Sequence, residues 1–258
     1  RSTLFPYTTL FRSSIDDYAK DIEIADKKAK IAVIKGIVNS ISDKTVLEKF
    51  DETIKSLKEA GFAVEFVDID EKILSSLFAT YFVISCAEAT SNNANLDGIK
   101  FGPYFNGSTF EEVVTKARTN GFSELIKSRF IIGNFALMKE NQKDLFLRAQ
   151  KNRRIIVDAI NHVLKEYDFI YCPAAPSIAP KVGETSDRLS NEYLIADNHL
   201  VIANFAGLPS ITIPIGMKDG MPFGANITGR AFEDKQVLKM AYELEKHTGL
   251  KNLVAKGE

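Results

Sequence analysis

The chain has 258 residues, enough for one large core or two small ones, and its 33 basic and 34 acidic residues leave a net charge of −1. That balance argues against a surface built to coat nucleic acid, although RNA handled through another chain stays compatible with it. Cys86 and Cys172 are isolated and His162, His199 and His247 share no ligand spacing, which points away from a zinc site and towards reduced thiols in a cytosolic protein.

Residues 1–13, RSTLFPYTTLFRS, carry no Met, no acidic residue and no helical or strand period. They also lack the continuous apolar segment and cleavage site of a signal peptide. The string resembles translated sequencing-adapter sequence. It is expected to be an artefact or a disordered tail that packs against nothing, with the folded domain over residues 14–258.

From Ile15 onward the pattern is globular. Residues 31–34 (IAVI) suit a buried strand. Residues 43–61 make an amphipathic helix, with Val46, Leu47, Phe50, Ile54 and Leu57 on one face and Gly61 as its stop. Residues 62–67 alternate as a second strand, with Val64 and Phe66 facing the same way. Strand, helix and strand within about forty residues form a βαβ unit and imply parallel pairing. Further helical patterns cover 73–94, 110–120 with Gly121 as a stop, and 144–167. Residues 169–176 (FIYCPAAP) read as a buried strand entering a Pro-rich loop. Residues 234–249 read as a helix with Val237, Leu238, Ala241 and Leu244 inward. No apolar run is read as reaching membrane-spanning length.

The most structured stretch is 201–229, VIANFAGLPSITIPIGMKDGMPFGANITG. Ile211, Ile213 and Ile215 alternate with Thr212 and Pro214, and Asp219-Gly220 is a strong hairpin signal before a second arm at 223–227. Ahead of it, Gly207 and Pro209 mark a helix end. The string N-x-A-G-L-P, then P-x-G, then G-x-P-x-G-x-x-I-x-G resembles the C-terminal half of the amidase signature family, and within it the tRNA-dependent amidotransferases. Other segments carry the same resemblance: Tyr81 to Asn92 (YFVISCAEATSN), Leu96 to Gly102 (LDGIKFG), the IKSRFIIG segment around Arg129, and AQKNR at 149–153. Asn95, Lys100 and Phe101 depart from the usual Arg, Arg and Tyr of the pattern.

The resemblance implies an α/β fold, the C-terminal portion of the amidase-signature α/β/α layered domain with a mixed central sheet. It also implies a catalytic Lys, a Ser in a cis peptide and a nucleophilic Ser in a Gly-Ser-rich loop. No such loop occurs here, so the catalytic residues are expected to precede this chain, and the chain alone is expected to be inactive. On residue type alone, Arg129 is a surface arginine of an amphipathic helix and Asp197 a helix N-cap, while Tyr81 is a core aromatic. The resemblance instead places Arg129 on the α-carboxylate of a donor glutamine, Asp197 on its ammonium, and Tyr81 in the pocket wall. Glu88 and Arg153 recur in the motifs but read equally well as a helix-face pair and a solvated helix residue, and His199 has no neighbouring nucleophile to serve.

The implied parent reaction converts Glu-tRNA(Gln) to Gln-tRNA(Gln) with ammonia from glutamine. The implied partners are the amidotransferase B and C subunits, with tRNA reached only through the former. No cofactor is expected in this chain, ATP and Mg being used by the assembled complex, and the expected location is cytoplasmic and away from membranes. A stand-alone amidase acting on a small amide is the alternative, and the Arg129–Asp197 pair is what separates the two.

Overall fold

Two parallel strands and a tight antiparallel hairpin meet on the strand that follows the longest helix, and the sheet grows outward from there. The computed structural model describes residues 17–23, 25–181, 183 and 192–254. Residues 1–13 therefore lie outside the described residues. The strands are β1 (Lys30–Ile34), β2 (Ala63–Val67), β3 (Phe169–Pro173), β4 (Ser210–Lys218) and β5 (Met221–Gly229), in the spatial order β2-β1-β3-β5-β4. β1 pairs in parallel with β2 and β3, whereas β5 pairs antiparallel with β3 and β4. The sheet is mixed, as the resemblance implies, and the fold is α/β.

The helices are α1 (Lys35–Asn39), α2 (Lys44–Glu59), α3 (Glu71–Ser75), α4 (Leu77–Asn92), α5 (Phe110–Gly121), α6 (Glu124–Leu137), α7 (Phe146–Glu166), α8 (Val201–Ala206) and α9 (Asp234–Thr248). A π-helical turn, Glu192–Ala196, precedes α8. On one face of the sheet, α2 and α9 bury Phe50, Leu57, Val237 and Leu244 against Val33, Tyr171 and Ile227. On the other, α7 and α8 bury Ile156, Ile160 and Phe205 against Ala32, Ile34 and Cys172. α4 packs on α7, and α6 packs on α4 as a further layer.

The local reasons are visible in the residues. The Asp43 carboxylate caps α2 by accepting from Thr45 N and Val46 N. Asp219 (φ 50°) and Gly220 (φ 77°) both take the left-handed region, as the two-residue turn between Lys218 and Met221 requires. Gly207 ends α8 in the left-handed conformation (φ 67°, ψ 43°).

Three expectations need correction. The helix read over 73–94 is two helices separated at Ser76, whose hydroxyl turns back to the Ile73 carbonyl at 2.7 Å and accepts from Asn152 Nδ2 at 2.8 Å. Side-chain bonding of this kind competes with a continuous helix. Phe66 does not follow Val64 into the core: it is 42% exposed, on β2 at the edge of the sheet, with no strand beyond it among the described residues. Finally, the stretch Glu71–Asn92 does have membrane-spanning length, with a mean hydropathy of 1.4 over its most apolar window. Here it forms α3 and α4, and α4 packs between α6 and α7 in the layered fold.

Candidate functional site

α4 presents Tyr81, Ser85 and Glu88 at helical spacing along one face, and these line a cavity of about 580 Å³. The opposite wall comes from the segment that enters and forms α8, including Asp197 and Asn204. Arg153 of α7 closes one side. Its Nε and Nη2 donate to the Phe205 carbonyl at 3.3 and 3.1 Å, which satisfies a carbonyl at the C-terminal end of α8, and its guanidinium carbon lies 5.8 Å from the Phe205 ring centroid. A guanidinium that caps α8 is more than the solvated helix residue the sequence offers.

Tyr81 and Asp197, far apart in the chain, thus meet at one cavity. Tyr81 also packs on the core formed by α7 and α8. Asp197 is not the cap of α8: the helix begins at Val201, and the turn before it is closed by Val201 N on the Asn198 carbonyl and Ile202 N on the His199 carbonyl. Asp197 lines the cavity and is exposed.

Arg129 is placed differently. It sits on α6 where that helix packs on α4, near enough to Cys86 for its charge to act on the thiol, and it is not among the described residues lining the cavity. Its side chain is half-buried, and its Nε is buried without a hydrogen-bond partner. The approach of the helices depends on Gly133, where a Cβ would overlap the Cys86 carbonyl oxygen and Thr90 Oγ1.

Burial raises the Cys86 thiol pKa, against a weaker opposing effect of the Arg129 charge, and pushes Cys172 up to about 12, so neither is a thiolate at neutral pH. Burial lowers the His199 pKa, and its Nδ1 lies 2.8 Å from the Ala196 carbonyl while Nε2 is buried without a partner. His199 is a neutral core histidine. Ser85 Oγ donates to the Phe82 carbonyl at 3.2 Å, a helix back-bond and not a nucleophile–base pair. Among the described residues, no group of three or more His, Cys, Asp or Glu side chains could hold a metal ion.

A polar node that the sequence does not reveal lies across the sheet. Asp43 accepts from Ser177 Oγ at 2.6 Å and pairs with Lys218, so one carboxylate ties the start of α2 to the loop after β3 and to the hairpin tip. Burial alone would raise its pKa, but the Lys218, Ser177 and Val46 hydrogen bonds outweigh burial and lower it.

The model of the family described as Amidase matches residues 5–238 of this chain. The chain belongs to the amidase signature family. It is 37% identical over 232 residues to the glutamyl-tRNA(Gln) amidotransferase A subunit of Thermotoga maritima, covering 90% of this chain and 48% of that protein. The corresponding A subunit of Wolinella succinogenes is 33% identical over 228 residues, 87% of this chain and 49% of that protein. The chain therefore spans about half the length of the curated relatives it matches. The crystal structure of the T. maritima A subunit superposes with a TM-score of 0.59 at 35% identity, over 82% of this chain and 40% of that one. 6-Aminohexanoate cyclic dimer hydrolase shares the amidase fold at a TM-score of 0.68 over 92% of this chain and 48% of that one, with 17% identity.

Proposed function

We propose that this chain forms the amino-acid-binding wall of the glutamine-hydrolysing A subunit of a tRNA-dependent amidotransferase, which supplies ammonia for conversion of Glu-tRNA(Gln) to Gln-tRNA(Gln). The observation that carries the reading is the meeting of Tyr81 and Asp197 at one cavity, in a chain whose relatives bear that enzyme's name. A carboxylate at an open cavity favours an ammonium group, and an aromatic wall favours the aliphatic stem beside it. Arg129 is assigned to the substrate α-carboxylate. Its unpaired buried Nε is a donor lacking an acceptor, and a planar guanidinium suits bidentate pairing. This role requires the guanidinium to turn from the α4–α6 seam towards the cavity as substrate enters.

The nucleophile, its activating Lys and the oxyanion donors are assigned to polypeptide outside this chain, which by itself would not release ammonia from glutamine. The B and C subunits of the amidotransferase would be its partners in the cytoplasm, tRNA would be reached through the former, and ATP and Mg would serve the assembled complex. A second reading, an amidase for a small uncharged amide, is favoured by the absence of Arg129 from the cavity lining.

Calorimetric titration separates the two. On the glutamine reading the chain binds L-glutamine more tightly than propionamide, and Asp197→Asn weakens glutamine about tenfold, the value of one charge-assisted contact near 1.4 kcal/mol. Equal binding of the two amides, or an unchanged Asp197→Asn, refutes it. In an enzyme completed with the catalytic segment, Arg129→Ala should raise the glutamine KM while sparing ammonia-dependent transamidation.

A further inference from the structure

Two carboxylates line the cavity, and they come from opposite walls: Asp197 from the segment that enters α8, and Glu88 from α4. Glu88 stands seven residues after Tyr81, two helical turns, so the two side chains follow one line along the α4 wall about 10 Å apart in height. Glu88 is exposed and makes no hydrogen bond or ion pair with the other described residues, Arg153 included. An exposed glutamate on a helix is ordinarily a solvated side chain. This one is set apart by the cavity it opens onto and by the second acid across it. Arg153, the cation among the described lining residues, has Nε and Nη2 on the Phe205 carbonyl, which orients its guanidinium towards the end of α8.

We infer that Glu88 is a specificity-determining residue that makes the cavity choose a primary amide over the carboxylic acid left by its hydrolysis. This role rests on an amide being the ligand of the cavity, as proposed above, and not on that amide being glutamine. Water cleaves a primary amide to a carboxylate and an ammonium ion, so substrate and acid product differ at one group. The amide carries two N–H donors; the carboxylate carries none and adds a negative charge. The Glu88 carboxylate is an acceptor without a donor. It accepts from the amide N–H, offers the acid no hydrogen bond, and repels it as a like charge. Shape cannot make this choice, because the two groups are nearly the same size, whereas a wall group that bonds the substrate N–H rejects the analogue lacking it. Retained acid would hold the cavity against the next substrate molecule, and a second carboxylate facing Asp197 works against that retention.

Calorimetric titration of the chain with two pairs, L-glutamine against L-glutamate and propionamide against propionate, tests the role. In each pair the amide is expected to bind about tenfold or more tightly than the acid, and Glu88→Gln to cut that preference about fivefold or more. The change should come from tighter binding of the acid, because the carboxamide introduced at position 88 donates to a carboxylate and still accepts from an amide. Glu88→Asp should keep a preference for the amide. Glu111→Gln, at an exposed carboxylate of α5 outside the cavity lining, should leave both ratios at the parent value. Equal binding of amide and acid by the parent, a preference that Glu88→Gln leaves unchanged, or no binding of any of the four overturns the proposal. So does a Glu88→Gln chain in which the amide weakens and the acid binds no better, since Glu88 would then be a structural residue. Equal binding of glutamine and propionamide would end the glutamine reading and leave both amide-to-acid ratios readable, so either can fail while the other stands.

Discussion

Replacing Gly133 by Ala sets two known effects against each other. In a helix interior the change is worth about 1 kcal/mol in favour of Ala, through backbone entropy alone. Against that, the new methyl would overlap the Cys86 carbonyl oxygen, which is helical backbone and cannot rotate away, and Thr90 Oγ1, which is held by the Cys86 carbonyl at 2.9 Å and the Phe130 carbonyl at 3.2 Å. α4 and α6 would have to separate, loosening Phe130 and Ala136, which are 8% and 1% exposed. Overpacking of this kind costs roughly 1–3 kcal/mol, and a clash with backbone belongs at or above the upper end, so a net loss of about 2 kcal/mol is expected. Urea unfolding followed by circular dichroism measures it, with Gly121→Ala as the control. Gly121 ends α5 and its Cβ would meet only Pro103 Cγ at 3.9 Å, so that variant should be as stable as the parent or slightly more. A Gly133→Ala protein as stable as Gly121→Ala would refute close α4–α6 packing, and with it the placement of Arg129 in the seam.

Substitutions at two further positions probe charge. Burial opposes ionisation of Glu243, but hydrogen bonds from Lys27 and Lys246 hold its pKa at about 2, against an ordinary 4.5. Its folded-state pKa lies below the unfolded one, so this contribution is complete above about pH 4.5 and is lost as pH falls towards 2. The full shift corresponds to about 3 kcal/mol, and exposure of the Lys27 and Lys246 side chains (49% and 39%) reduces the expected contribution to about 1–2 kcal/mol. Glu243→Gln should therefore flatten the stability profile between about pH 5 and about pH 2, a span that brackets that window, and an unchanged slope in urea titrations counts against the ion cluster. At Asp43, Asn keeps the helix cap and loses the Lys218 pair, whereas Ala loses both. Asp43→Asn is expected to cost about 1 kcal/mol and Asp43→Ala about 2–3 kcal/mol; equal costs would mean that the cap contributes nothing, and an Asp43→Asn protein as stable as the parent that the Lys218 pair contributes nothing.

The fold was legible wherever one local signal decided a position. Asp219-Gly220 dictates a left-handed pair and hence the hairpin register, Gly207 and Gly249 end their helices, and the βαβ spacing gives parallel β1 and β2. The misreadings have a shared cause, since period-2 and period-3.6 patterns report which face a residue takes and not what lies over it. Phe66 alternates correctly, yet β2 has no outer neighbour among the described residues, so the pattern holds while burial does not. Ser76 carries no helix-breaking residue type. The break depends on Asn152 reaching it from α7, a contact no reading of 73–94 alone could contain.

The candidate site divides along the same line. Nothing local brings Tyr81 to Asp197; the resemblance pairs them, and the fold does so by packing α4 against α7, which in turn packs against α8. For Asp197 the residue-level reading fails for a definite reason. An Asp before an apolar run is a cap only if the helix starts within the next residue, and here Asn198 to Leu200 form their own turns first, with Leu200 in the cap position. Arg153 shows the converse, because its Nε and Nη2 donate to the Phe205 carbonyl, holding the end of α8 in place. The cavity thus has an acid, Asp197, on a wall fixed by a base, Arg153, whose donors are partly committed. On the glutamine reading proposed above, the group assigned to the amino-acid carboxylate is Arg129, whose Nε is buried without a partner.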